Sequence, residues 1–213
     1  MTRLIIARHG NTFGPGDTPL RVGARTDLDL VASGIEQAFQ LGTLLKMKNL
    51  RPTRIIAGPL KRTLNMAEIA ARMLGDTPVT VEVDERLREV DYGPDEGQPE
   101  DKVIARIGAE AIKNWDEHAI VPEGWQTDPE KLKHEWQDLA DQILAKNPGE
   151  TVLIVTSNGI ARFAPYLTGD FEAFKKEFPL KLSTGAIGIL EHRDKRWQVL
   201  GWNVKPKDHL SAA

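Results

Sequence analysis

The run Thr151-Val152-Leu153-Ile154-Val155-Thr156 is apolar at consecutive positions, not alternate ones. A strand written that way is buried on both faces, which suits the centre of a sheet covered on both sides. Two further short runs, about Thr2–Ala7 and Arg54–Ala57, read as strands, and Val79–Val83 as another. Between them the apolar period lengthens to that of a helix. One helix is expected from about Ser33 to Met47, with Ser33 as N-cap and Ile35, Ala38, Phe39, Gly42 and Leu45 on its packed side. A second starts at Pro59 and runs to about Leu74, and a third covers about Gly159–Leu167. Ala186–His192 and Arg196–Trp202 read as a hairpin around Asp194-Lys195. Short buried strands alternating with longer amphipathic helices predict an α/β fold.

Residues 94–149 interrupt this rhythm with five prolines and two helical stretches, about Glu100–His118 and Pro129–Lys146. They are expected to form a helical insertion over one edge of the sheet, so that 1–213 make a single domain. Trp115, Trp125 and Trp136 fall inside it. Tryptophan buries a large apolar area, so their first use is to dock these helices, and one of them is also available to wall a pocket.

Composition narrows the function. The chain has 213 residues, a formal net charge of −3 and no cysteine. That charge gives no bulk attraction to nucleic acid or to an anionic membrane. The missing thiols remove disulfides, thiolate metal sites and a cysteine nucleophile. No apolar run approaches the roughly 18–20 residues of a membrane span. A cytoplasmic location is the expectation, with no nucleic-acid or membrane partner; the sequence carries no sign of oligomeric state.

Ligands of open α/β sheets bind beyond the carboxyl ends of the strands. Arg8, His9, Gly10 and Thr12 follow the first strand, and Arg62 lies in the first turn of the helix after the second. Free N–H groups at that helix start favour an anion. Glu89 and Asp91 follow the third strand, and Ser157 and Asn158 follow the fourth. Four separate segments thus bring polar side chains to one rim. Other motifs fail: Gly14-Pro15-Gly16 has Pro19 where a dinucleotide loop needs glycine, and Val155 stands at the first glycine of a serine-hydrolase elbow.

In order along the chain, five blocks resemble the histidine phosphatase superfamily, the group that contains cofactor-dependent phosphoglycerate mutases. Arg8-His9-Gly10-Asn11-Thr12 is similar to its nucleophile motif. Gly23–Leu30, with Gly34 and Gln37-Ala38, resembles the next block. Pro59-Leu60-Lys61-Arg62 resembles the arginine block, with Gly58 where serine is usual. Leu87-Arg88-Glu89, Gly93 and Glu96-Gly97 resemble the acidic block, and Gly149–Val155 with Arg162 the last. The resemblance implies a three-layer sandwich, with helices on both faces of a mixed, mostly parallel sheet. It implies catalysis by His9 and Glu89 on a small phosphorylated molecule, without metal or other cofactor.

The chemistry implied is physically coherent. His9 attacks phosphorus and carries a phosphohistidine. Arg8 and Arg62 offer paired donors to phosphate oxygens, and Glu89 protonates the leaving oxygen, then activates water. Thr12, Arg21 and Arg25 are candidate substrate contacts. The departure is Ser157, which aligns where the family has a second histidine; a one-residue shift places Asn158 there. Either is a neutral donor to phosphate, and losing one preorganised donor typically costs on the order of 10²–10³ in rate. His118 is the best spare histidine, ahead of His134, His192 and His209. A phosphomonoesterase is favoured; the alternatives are a phosphate-binding or regulatory protein with impaired catalysis and, behind it, a true mutase. Val90 follows Glu89 where the family mutases have arginine, and the insertion offers no obvious arginine pair for a carboxylate.

Overall fold

The computed structural model describes residues 1–75, 80–146 and 148–210. Among the described residues six strands form one sheet: β1 (Thr2–Arg8), β2 (Arg54–Ala57), β3 (Val81–Val83), β4 (Thr151–Thr156), β5 (Ile187–Arg193) and β6 (Arg196–Val204). Their order is β3-β2-β4-β1-β5-β6. The first four run parallel, and β5 and β6 are antiparallel to their neighbours. The sheet is therefore mixed and mostly parallel, as expected.

Because successive strand residues point to opposite faces, the two faces collect different side chains. Leu4, Ile6, Ile56, Val152 and Ile154 meet Trp115, Trp136, Leu139 and Phe163 on one side. Ile5, Ala7, Ile55, Ala57, Leu153 and Val155 meet the other layer, made by α1 (Ala32–Met47) and α2 (Lys61–Met73). The first layer is filled by α3 (Glu100–Ile107), α4 (Ala109–His118), α5 (Pro129–Lys146), α6 (Asn158–Ala161) and α7 (Phe171–Glu177). Short 3₁₀ turns cover Glu85–Leu87, Gly93–Asp95, Ala164–Thr168 and Pro206–His209.

Several sequence expectations change in detail. α1 begins at Ala32 and has no side-chain cap; Ser33 lies inside it and accepts a hydrogen bond from Asn11 Nδ2 at 3.1 Å. Ile35 and Phe39 are exposed, and the packed side is Ala38, Leu41, Leu44 and Leu45. Burying one such leucine is worth about 1.5–3 kcal/mol, so tertiary packing, not capping, holds this helix. Gly42 serves the approach of α2: a Cβ there would meet Met73 Cβ at 2.5 Å and Ala70 O at 3.1 Å.

The helix expected over Glu100–His118 is two helices, α3 and α4, parted at Gly108, where φ is +86°. Gly159–Leu167 is the short α6 followed by a 3₁₀ turn. α7 was not anticipated; Asp170 caps it by accepting from Ala173 N at 2.9 Å. Val79, placed at the head of the third strand, lies outside the described residues. The hairpin turn is as expected, with Asp194 and Lys195 both at positive φ.

Candidate active site

Strand register aligns the site. Arg8 lies opposite Thr156 and Ala57 opposite Val155, so β1, β2 and β4 end together. His9, Gly58 and Ser157 consequently start three adjacent loops at one rim. His9 N donates to Thr156 O at 2.9 Å, and Gly58 N to Val155 O at 3.0 Å. A cavity of about 610 Å³ opens above them. Its wall includes Arg8, His9, Thr12, Arg21, Glu89 and Asn158.

His9 is buried, and its partners fix the imidazole. Nδ1 lies 2.8 Å from the carbonyl of Gly10, which can only accept, so Nδ1 carries the proton. Nε2 receives the Nε–H of Arg62 at 3.2 Å and therefore bears the lone pair. Burial, with the Arg62 and Arg8 guanidiniums beside it, pushes the imidazole well below its ordinary range. Lowered basicity favours the neutral ring, whose lone-pair nitrogen lies against a guanidinium.

Arg62 is fully buried beneath the cavity floor, in the first turn of α2. Its Nη1 donates to Thr26 O at 2.6 Å and its Nη2 to Gly23 O at 3.2 Å. Arg8 Nη1 donates to Leu182 O at 2.7 Å. Both cations are thus held by neutral carbonyls, and their charge is not cancelled at the hydrogen-bond contact.

Glu89 is buried opposite them. Its Oε1 accepts from Val90 N at 2.9 Å and its Oε2 from Gly159 N at 3.4 Å. Burial pushes this carboxyl above the usual range, against the opposing pull of Arg62. A side chain on Gly159 would collide with Glu89 Oε1, so glycine at that position makes room for the acid.

The last block separates its two candidates. Asn158 lines the cavity, and its Oδ1 accepts from Leu182 N at 2.9 Å, which turns the amide NH₂ away from that loop contact. Ser157 is fully buried and its hydroxyl has no hydrogen-bond partner among the described residues. It lies under the wall, not on it.

The remaining candidates divide. Thr12 and Arg21 are on the wall. Arg25 is not: it reaches Gly93 O at 2.6 Å and Glu96 Oε2 at 3.3 Å, tying two loops together outside the cavity. His118 is also elsewhere, on the surface beside Lys175 Nζ at 3.2 Å. His134, near Asp138, and His192, against Trp197, are equally absent from the wall.

Sequence reasoning missed Tyr92, Asp116 and Lys181, all of which line the cavity. Tyr92 was findable, three residues beyond Glu89 on the same loop; burial and Glu89 push its phenol up. Asp116 and Lys181 lie 65 residues apart and carry no local signal. Arg162 was matched as part of a block but given no position; it too is on the wall, stacked 3.9 Å over the Trp115 ring. Trp115 both docks α4 and walls the cavity.

Residues 4–205 match the family model of the histidine phosphatase superfamily (branch 1), and the chain belongs to that family. Among curated proteins it is similar to the probable phosphoglycerate mutase GpmB of Erwinia tasmaniensis, 27% identical over 213 residues, covering 99% of this chain and 94% of that one. GpmB of Escherichia coli is also 27% identical, over 224 residues with the same coverage. Among solved structures it resembles a mycobacterial glucosyl-3-phosphoglycerate phosphatase, with a TM-score of 0.80, 21% identity, and 95% and 99% of the two chains covered. It also resembles a phosphoserine phosphatase of Entamoeba histolytica in complex with 3-phosphoglyceric acid, at TM-score 0.74, 20% identity, and coverage of 95% and 97%. Both structural likenesses bear on the fold.

Proposed function

We propose that this protein is a phosphomonoester hydrolase that works through a phosphohistidine on His9. The observation that carries the reading is the state of His9: Nδ1 is protonated toward Gly10 O, and Nε2 keeps its lone pair, held by the Arg62 Nε–H, at the floor of a cationic cavity. In the first step Nε2 bonds to phosphorus as the bond from phosphorus to the leaving oxygen breaks. Glu89, whose hold on a proton burial strengthens, gives its proton to that oxygen. Arg62 Nε, released from Nε2, then faces the phosphoryl oxygens together with Arg8. In the second step water attacks phosphorus, Glu89 takes the water proton, and the P–N bond returns its electrons to His9. Asn158, on the cavity wall, supplies a neutral amide donor.

The test is phosphate release from 4-nitrophenyl phosphate by purified protein. Wild-type turnover should fall to a few percent or less in His9→Ala, with the melting temperature retained. Substantial activity in that variant removes His9 from the role of nucleophile.

A second reading is favoured by one observation: the cavity wall has no histidine besides His9 among the described residues. It is a phosphate-ligand binding protein with impaired turnover. Acid-labile phosphate trapped on His9 during a single turnover supports the hydrolase; ligand binding without any trapped phosphate supports the binder.

A further inference from the structure

We infer that the outer half of the cavity selects a neutral, hydroxylated leaving group, as in a sugar or polyol phosphate, and disfavours one bearing a carboxylate; this rests on the phosphate-binding role of the inner half. The two halves differ in how their cations are partnered. Arg8 and Arg62, inside, are held by carbonyl oxygens and by the neutral His9 ring. The inner acid, Glu89, is pushed toward its neutral form. An incoming phosphate dianion therefore meets two guanidiniums whose hydrogen-bond partners are all neutral.

Outside, every cation on the wall already has a carboxylate. Arg21 Nη2 pairs with Glu100 at 2.5 Å. Arg162 Nη2 and Lys181 Nζ each lie 3.5 Å from an oxygen of Asp116. Two acids thus face three cations, and the surplus charge is not freely offered. The Arg162 side chain is 1% exposed, its Nη1 donates to Trp115 O, and Trp115 covers one face of the guanidinium. A carboxylate entering this half would displace an ion pair or lie beside Asp116 and Glu100, and like charges brought side by side select against the ligand.

A hydroxylated group meets a better match. Asp116 accepts from an O–H, the Asn158 amide donates, and the Tyr92 hydroxyl does either. Phe13, Leu20 and Val22 supply apolar wall for C–H faces. Charged pairs that stay paired while offering spare lone pairs suit a neutral polyol and need no counter-ion from the ligand.

Glycerol 3-phosphate and 3-phosphoglycerate form a probe pair, since they differ by a hydroxymethyl group in place of a carboxylate. Calorimetric titration of the His9→Ala protein should show glycerol 3-phosphate binding at least tenfold more tightly. Asp116→Asn should shrink that ratio several-fold by relieving repulsion of the carboxylate. Glu100→Gln should shift it in the same direction and stands in if Asp116→Asn does not fold. Equal or tighter binding of 3-phosphoglycerate, failure of both ligands to bind, or a ratio unmoved in both variants overturns the proposal. The catalytic reading fails separately: the expected ratio, with no phosphate released from either ligand by wild-type protein, would leave the recognition standing and remove the hydrolase.

Discussion

At His9 the proton is located by two neighbours of opposite kind, a carbonyl that can only accept and a guanidinium that can only donate. A pH dependence follows. His9, pushed below its ordinary range, loses nucleophilicity only when pH falls through that lowered value. Glu89, pushed above the usual carboxylate range, stays protonated as a general acid until pH rises through its raised value. The kcat/KM profile for an alkyl phosphate should therefore have its acid limb below the usual histidine titration and its alkaline limb above the usual carboxylate one. An acid limb at about 6.5, the unperturbed imidazole value, would show that His9 is not desolvated. His9, Arg62 and Glu89 were legible because each follows a strand end within one or two short motifs. The difference between Ser157 and Asn158 was not. Adjacent residues at a strand-to-helix junction point in different directions, and only the backbone turn at the head of α6 puts one on the wall and the other beneath it.

Elements were legible where burial was complete and less so where it was partial. β4 and α5 have the expected boundaries, because one is apolar throughout and the other starts at a proline. The α1 face was legible in part: Ile35 and Phe39 fit the helical apolar pattern yet are exposed, whereas Ala38, Gly42 and Leu45 are buried as expected, with Gly42 against Met73 and Ala70 of α2. That contact carries a prediction. Gly42→Val inserts a branched side chain against Met73 and should cost about 1–3 kcal/mol by overpacking. The urea midpoint, at unchanged m-value, is the measurement; a cost below about 0.5 kcal/mol would mean that α1 and α2 separate easily. The break between α3 and α4 was hidden for a different reason. A glycine inside a helical pattern is usually tolerated, and only its φ of +86° shows that the chain turns there.

Across the molecule, one carboxylate ties the 94–149 segment together. Asp95 is buried and receives Trp125 Nε1 at 2.7 Å and the Arg106 guanidinium of α3, with Arg106 Nε at 2.5 Å. The hydrogen bonds from Arg106, then from Trp125, hold this carboxyl below its usual range against the cost of burial. A depressed carboxyl stabilises the fold above its unfolded pKa, and the contribution is lost as pH falls through the folded value. Asp95→Ala should lower stability near neutral pH by about 3–5 kcal/mol, since it leaves a buried indole N–H and a partly buried cation without their partner. The difference from wild type should narrow on acidification, as read by melting temperature at several pH values. A difference that is constant with pH would make the role steric. What the sequence by itself determined was the layered fold and the strand-end rim, because burial of consecutive apolar residues and the order of the motifs are local properties of the chain. The tertiary structure alone decided the outer cavity. Arg21 meets Glu100, and Arg162 and Lys181 meet Asp116, across sequence separations of 46 to 79 residues. Charge pairing acts over a few ångströms of space, and proximity of that kind is fixed only when the sheet and its covering helices are assembled.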